Sequence, residues 1–167
     1  AGKAVALTEI LEFGKAYAKE IIKNAQYLAE KLHENDIMVL GEKNGFTKSH
    51  QVVLNTSKYD GGGILEDKLE RANIIVNRQL IPGDIKAGRH YKNPGGLRLG
   101  TSEITRLGMG KSEMIEIANF ITRIIIKNED INKVKNDVIN FRKEFQNIKY
   151  TFDKNQNAHK YFNLRDK

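Results

Sequence analysis

From Thr8 to His33 apolar residues recur every three or four positions: Ile10, Leu11, Tyr17, Ile21, Ile22, Ala25, Leu28, Ala29 and Leu32. That period predicts a long amphipathic helix with one buried face. Beyond it, "HENDIMVL" turns into a short strand at Ile37–Leu40, "GEKNGFTKSH" is a loop, and Gln51–Asn55 is a β-rich run. "YDGGG" reads as a turn, "ILEDKLERA" as a second helix and "NIIVNRQL" as the next strand. A loop holding both prolines, "IPGDIKAGRHYKNPGG", leads to a short strand at Leu97–Thr101. Helical spacing returns at Ile115, Ala118, Ile121, Ile124 and Ile125, with Ser112 as N-cap and Glu113 and Glu116 in the first turn. Ile131, Val134, Val138, Phe141 and Phe145 mark a last helix. The order α-β-β-α-β-β-α-α predicts an α/β sandwich, a small sheet with helices on one face. Residues 1–152 form one domain opened by a long helix over 1–36, and 153–167 are a polar tail expected to fray.

Composition narrows the class. The 167 residues suit one domain with a real core. There is no apolar run of about 18 residues and no signal-peptide pattern, so no membrane partner is expected. The absence of cysteine excludes disulfides and thiolate metal sites and agrees with a cytoplasmic location. Ala1, rather than Met, runs directly into a helical pattern, which points to a piece of something longer. The net charge of +7 raises nucleic acid as a partner. Residues 123–167 hold eleven Lys/Arg against six Asp/Glu, but the signs are interspersed and the aromatics do not interleave with a basic stripe. A solvated basic surface is the reading taken.

Among candidate sites, His33, His50, His90 and His159 never stand at metal-ligand spacing, so no metal is expected. "GGGILED" resembles an anion-cradling loop before a helix but lacks the Lys-Ser/Thr of a P-loop, so a plain turn is expected. His50 is expected partly buried and satisfied by backbone. Arg98 is different, because it stands between Leu97 and Leu99 on a strand whose neighbours face the core. A guanidinium there needs pairing and full hydrogen bonding. Two readings stand: an internal salt bridge, or a fork-shaped donor held for a ligand carboxylate.

"GGLRLGTSEITRLGMGKSEM" resembles the arginine motif of serine hydroxymethyltransferases, which typically reads Arg-(Ile/Val/Leu)-Gly-Thr-Pro-x-x-Thr-x-Arg-Gly. "AVALTEI" with "VLGEKNGFTKSHQVVLN", and "LERANIIVNRQLIPGD", match preceding segments of that family in order, so the resemblance covers about residues 2–147. It implies the small C-terminal domain of a fold-type-I pyridoxal-phosphate transferase, packed on a larger cofactor-binding domain. The implied reaction moves the hydroxymethyl carbon of serine to a reduced pterin, leaving glycine. By the same resemblance Arg98 grips the substrate carboxylate, while Thr101 and Arg106 support the motif's shape. Gln79 stands where many members have an asparagine near the pterin. A homodimer is implied for the full-length enzyme, without nucleic acid.

The chain also departs from the pattern. Ser102 replaces the usual proline, and "DIKAGRHYKNPGG" is longer and more basic than the Ser-Pro-Phe-like loop of bacterial members. That departure speaks against folate and for an alternative, a modified pterin such as tetrahydromethanopterin, whose acidic tail Lys86, Arg89 and Lys92 suit. The family's "THKT" segment, whose lysine carries pyridoxal phosphate, has no counterpart here, so this portion is expected to be inactive by itself. Its first helix is expected to expose an apolar patch where the cofactor domain packs. Two alternatives remain beside this reading. One is the small domain of another fold-type-I enzyme, an aminotransferase or threonine aldolase; the other is a basic nucleic-acid-binding module.

Overall fold

The computed structural model describes residues 2–153, 157 and 158. Along them run α1 (Gly2–Glu34), β1 (Gln51–Asn55), α2 (Gly62–Arg71), β2 (Asn77–Gln79), β3 (Gly96–Gly100), α3 (Ser102–Arg106), α4 (Lys111–Ile125) and α5 (Ile131–Arg142). The strands form one antiparallel sheet in the order β1-β3-β2. Val52 pairs with Leu99 and Leu54 with Leu97, so these four apolar side chains share a face. All four are buried, together with Leu28 and Leu32 of α1, Leu65 and Leu69 of α2, and Met114, Ile121 and Ile124 of α4. Helices therefore cover one face of the sheet, as the alternation of the strands requires. Truncating a side chain such as Leu97, wholly buried in the middle strand, costs about 2–5 kcal/mol in comparable cores.

Two expected strands are shorter than predicted, for the same reason. The strand over Ile37–Leu40 reduces to a single bridge between Val39 and Leu54. Its first residue is instead spent ending α1: Asp36 takes a left-handed φ of 64°, its N–H reaches the His33 carbonyl at 3.0 Å, and the Ile37 N–H reaches Leu32 at 3.0 Å. This paired closure is a Schellman motif, and it drops Ile37 into the core. The strand over 73–80 keeps only Asn77–Gln79, because Asn73 (φ 61°) and Ile74 end α2 in the same manner. The third strand, expected at Leu97–Thr101, lies one residue earlier.

The cap of α4 also differs from expectation. Gly110, not Ser112, occupies the N-cap, and the Glu113 carboxylate accepts the Gly110 N–H at 2.6 Å. Ser112 lies inside the first turn, where its hydroxyl donates to Glu113 at 2.7 Å. The last helix stops at Arg142, so Phe145 packs from beyond its end on Phe141, with ring centroids 5.2 Å apart. The fraying expected of the tail concerns residues 154–156 and 159–167, which lie outside the described residues.

The long first helix has two distinct halves. Ala25, Leu28, Ala29 and Leu32 are buried, whereas Val5, Leu7, Ile10 and Leu11 are exposed, Leu11 at 85%. The periodic apolar face is thus buried only along its C-terminal half, and an exposed apolar patch is present as expected. What organises the other half is a polar clasp. Glu9, only 8% exposed, accepts from Arg106 of α3 at 2.8 Å, from the Thr151 hydroxyl and from the Phe152 N–H at 3.3 Å. Around it Tyr17 packs on Tyr150 (4.9 Å between centroids) and Phe13 on Phe152 (5.4 Å). The Lys149 N–H reaches the Arg106 carbonyl at 2.7 Å.

The hydrogen bonds from Thr151 and Arg106 hold the Glu9 carboxyl below its ordinary value of 4.5. A lowered folded-state pKa stabilises above the unfolded value and is lost as pH falls through the folded one. Acidification below about pH 4.5 is therefore expected to release residues 149–152 from α1 before the helical core melts. Amide exchange at Tyr150 and Phe152, followed against pH, reads this directly. Glu9→Gln should speed that exchange at neutral pH and flatten its acid dependence.

Candidate functional site

The face of the sheet away from the helices is largely polar and carries no acid among its strand residues. Strand pairing places Gln51, Val53 and Asn55 of β1, Gly96, Arg98 and Gly100 of β3, and Asn77 and Gln79 of β2 on it. Arg98 stands at its centre, half-buried, with Val53 opposite on one side and Asn77 on the other. One of its Nη2 hydrogens points to Asn77 Oδ1, 3.4 Å away. Among the described residues no carboxylate lies within ion-pair distance of it.

Other arginines differ sharply. Arg106 meets Glu9 at 2.8 Å, and Arg123 meets both Glu129 and Asp137 at 2.7 Å. Arg78 pairs with Glu66 and Asp67 of α2. Such pairing perturbs the acids: the Glu129 carboxyl, between Arg123 and Lys133, is pulled down to about 2. Arg98 spends none of its charge in this way. The internal salt bridge, one of the two readings open to its sequence, is not formed among the described residues. Gly100 leaves the space beside it open, since a Cβ there would meet nothing within 4 Å. Gly96, at the other end, is closed over by Ile81.

The loop from β2 to β3, residues 80–95, is anchored at both ends. Asp84, 4% exposed, accepts the Ile81 N–H at 2.9 Å and the Gly95 N–H at 2.7 Å. The N–H groups at the start of α2 are taken by the same loop. Gly62 donates to the Pro94 carbonyl at 2.7 Å and Gly63 to Asn93 Oδ1 at 2.9 Å. The "GGG" turn therefore cradles the chain's own loop, through one backbone carbonyl and one side-chain amide, and its glycines allow the approach: a Cβ on Gly62 would collide with the Gly96 carbonyl, and one on Gly63 with that of Lys92. Arg78 adds a bond to the Lys92 carbonyl at 2.8 Å.

These contacts locate the remaining candidates. Gln79 shares the open face with Arg98, its amide donating to the Leu80 carbonyl at 3.0 Å. Lys86 and Lys92 are exposed on the loop. Arg89 turns inward, donating to the Ser57 carbonyl at 3.0 Å with Asp84 3.9 Å away. Thr101 and Arg106 point elsewhere. Thr101 is buried, its hydroxyl donating to Ile21 at 3.0 Å and its N–H to His50 at 3.0 Å. His50 is exposed rather than partly buried, and the chain uses its backbone carbonyl. Sequence reasoning did not single out Asn77, Asp84, Asn93 or Glu9. The one available signal was "IPGD", an acid directly after a Pro-Gly turn, where side chains often bond nearby backbone.

Comparison with known proteins bears on the family and the fold. The family model described as serine hydroxymethyltransferase matches residues 1–121. The chain is 57% identical over 165 residues to the serine hydroxymethyltransferase of Cenarchaeum symbiosum (strain A), covering 99% of this chain and 37% of that protein. Against that of Nitrosopumilus maritimus (strain SCM1) the identity is again 57%, covering 99% and 38%. For Korarchaeum cryptofilum (strain OPF8) it is 50% over 153 residues, covering 92% and 35%. The crystal structure of an L-threonine transaldolase from Pseudomonas fluorescens superposes with a TM-score of 0.79 at 31% identity, covering 92% of this chain and 34% of that one. The fold is thus that of the small α/β domain of fold-type-I pyridoxal-phosphate enzymes. Within that class, the chain belongs to the serine hydroxymethyltransferase family. It spans a little over a third of the length of the curated relatives it matches.

The two kinds of glycine make separable predictions. Gly63→Ala is expected to cost about 1–3 kcal/mol, lowering the melting temperature by several degrees, because the Lys92 carbonyl must move. Gly100→Ala should leave it unchanged or slightly higher, since its Cβ enters open space. Thermal unfolding by circular dichroism compares them.

Proposed function

We propose that this chain is the C-terminal small domain of a pyridoxal-phosphate-dependent serine hydroxymethyltransferase. In that protein Arg98 holds the carboxylate of serine or glycine. The observation that carries the proposal is a guanidinium that has no carboxylate partner among the described residues and stands at the centre of a sheet face whose strands carry no acid. A charge held half-buried by strand pairing, with all but one of its N–H groups free of partners among the described residues, suits a planar carboxylate better than it suits the fold.

Two donors on one rigid group fix both the position and the rotation of the amino acid. They thereby align the Cα–Cβ bond for cleavage as well as supplying affinity. Pyridoxal phosphate supplies an electron sink for charge developing at Cα. The donor set on this face, one guanidinium with amides and no carboxylate, fits the substrate's anionic end. The carrier lysine and the acid for the ring nitrogen are assigned to the rest of the protein, which packs against the exposed apolar half of α1. The same family resemblance supports a cytoplasmic homodimer.

The hydroxymethyl carbon passes from serine to a tetrahydropterin. Gln79 on the open face and the neighbouring loop are the pterin side of the site. Its amide can both donate and accept, as pterin ring edges require. Lys86 and Lys92 offer ammonium groups to an acidic tail, whether of folate or of tetrahydromethanopterin, and Arg89 shapes the loop from within. The likeness to an L-threonine transaldolase favours a second reading, in which the same guanidinium holds a 3-hydroxy amino acid and no pterin takes part. Pterin dependence separates the two.

In the full-length protein, Arg98→Lys is expected to weaken serine binding and turnover together, lowering kcat/KM by about ten- to a hundredfold, the worth of a charged hydrogen bond. Steady-state kinetics equal to wild type would remove the assignment. Within residues 84–96, exchanging 85–92 for a Ser-Pro-Phe-type segment, which leaves the Asp84, Asn93 and Gly95 anchors in place, should shift preference between folate and methanopterin carriers. Pterin-independent cleavage of 3-hydroxy amino acids should stay nearly constant. Parallel assays with both carriers check this, and an equal fall in every activity would reduce the loop to a structural element.

A further inference from the structure

We infer that Asn77 is the positioning residue for Arg98, and that its neutrality keeps the guanidinium free for the substrate. The inference rests on the assignment of Arg98 to the substrate carboxylate. Arg98 lies in the middle strand, so its side chain has one cross-strand neighbour on each flank. Val53 offers only methyl groups. Asn77 offers an amide oxygen 3.4 Å from Nη2, and this is the one side-chain acceptor Arg98 has among the described residues. The bond orients the fork laterally and uses one of its five N–H groups, leaving four to meet a carboxylate.

Asn77 is itself well placed to do this. It sits in register with Arg98 on β2, and the next residue clamps that short strand: the Arg78 N–H donates to Glu66 at 3.1 Å, and its guanidinium to the Lys92 carbonyl at 2.8 Å. The orienting oxygen therefore has a fixed origin. Its charge state matters more than its position. An aspartate would have the same shape and would place a carboxylate directly opposite Arg98, on a face where Gln51, Asn55 and Gln79 are all neutral. An internal ion pair of that kind would compete with the ligand for the same donors. An amide steers the guanidinium without neutralising it.

The test compares Asn77→Asp, Asn77→Ala and Arg98→Lys in the full-length enzyme by glycine affinity, serine KM and kcat, and melting temperature. Asn77→Ala is expected to weaken glycine binding by about two- to fivefold, the loss of a neutral orienting bond. Asn77→Asp is expected to weaken it by about tenfold or more, as a rise in KM exceeding any fall in kcat. Both variants should melt within a degree or two of wild type. A purely structural role would make the two losses equal, or make them follow the melting temperature. If Arg98→Lys weakens binding but Asn77→Asp loses no more than Asn77→Ala, the positioning role is overturned and the Arg98 assignment survives. If Arg98→Lys binds glycine normally, both fall. Should Asn77→Asp fail to fold, Asn77→Ala decides, and wild-type affinity in it overturns the inference.

Discussion

Side chains of a β-strand alternate between faces, so Leu97 and Leu99 cannot enter the core without turning Arg98 onto the opposite face. The rest of the molecule is organised around that constraint. β3 is the middle strand, with β1 and β2 on either side, so its register sets both the packing beneath and the row of residues above. A slip of one residue would drive the guanidinium among Leu28, Leu54 and Ile121 and expose two leucines. The hydrophobic core thus holds the arginine in place without contributing any atom to its polar surroundings.

Register alone would leave the loop before β3 undefined, and here buried polar groups take over. Asp84 gathers the N–H groups of Ile81 and Gly95, while Gly62 and Gly63 lend the free N–H groups of α2 to Pro94 and Asn93. Free donors at a helix start are commonly an anion site. In this chain they are consumed internally, and the service they perform is to hold the entry to the strand. Among the described residues the Arg98 guanidinium, near the sheet centre, is then left without a carboxylate partner, and this supports the proposal that the open face receives one from a ligand.

The first helix shows how one periodic pattern can serve two ends. Its C-terminal half packs by Ala25, Leu28, Ala29 and Leu32, whereas its N-terminal half is held through Glu9, Arg106 and Thr151 and leaves Val5, Leu7, Ile10 and Leu11 uncovered. Periodicity reports that a face is apolar; it does not report what covers the face. For the same reason apolar runs overstate the short strands. Ile37 and Ile74 look like strand residues, yet each is the apolar residue that closes a Schellman motif.

The sequence by itself determined the helices of long period, the α/β class, the family resemblance carried by the arginine motif and the prominence of Arg98. These are legible because they depend on local periodicity and on residue types in fixed spacing. Whether Arg98 was paired internally or left free could not be read from it, since twenty-one acids were available as partners and spacing along the chain does not say which come near. The same holds for Asn77, which reaches Arg98 across 21 residues, and for Glu9, which meets Thr151 across 142. Only the tertiary structure decided these, because strand register and helix docking bring together groups whose separation in sequence carries no information about their separation in space.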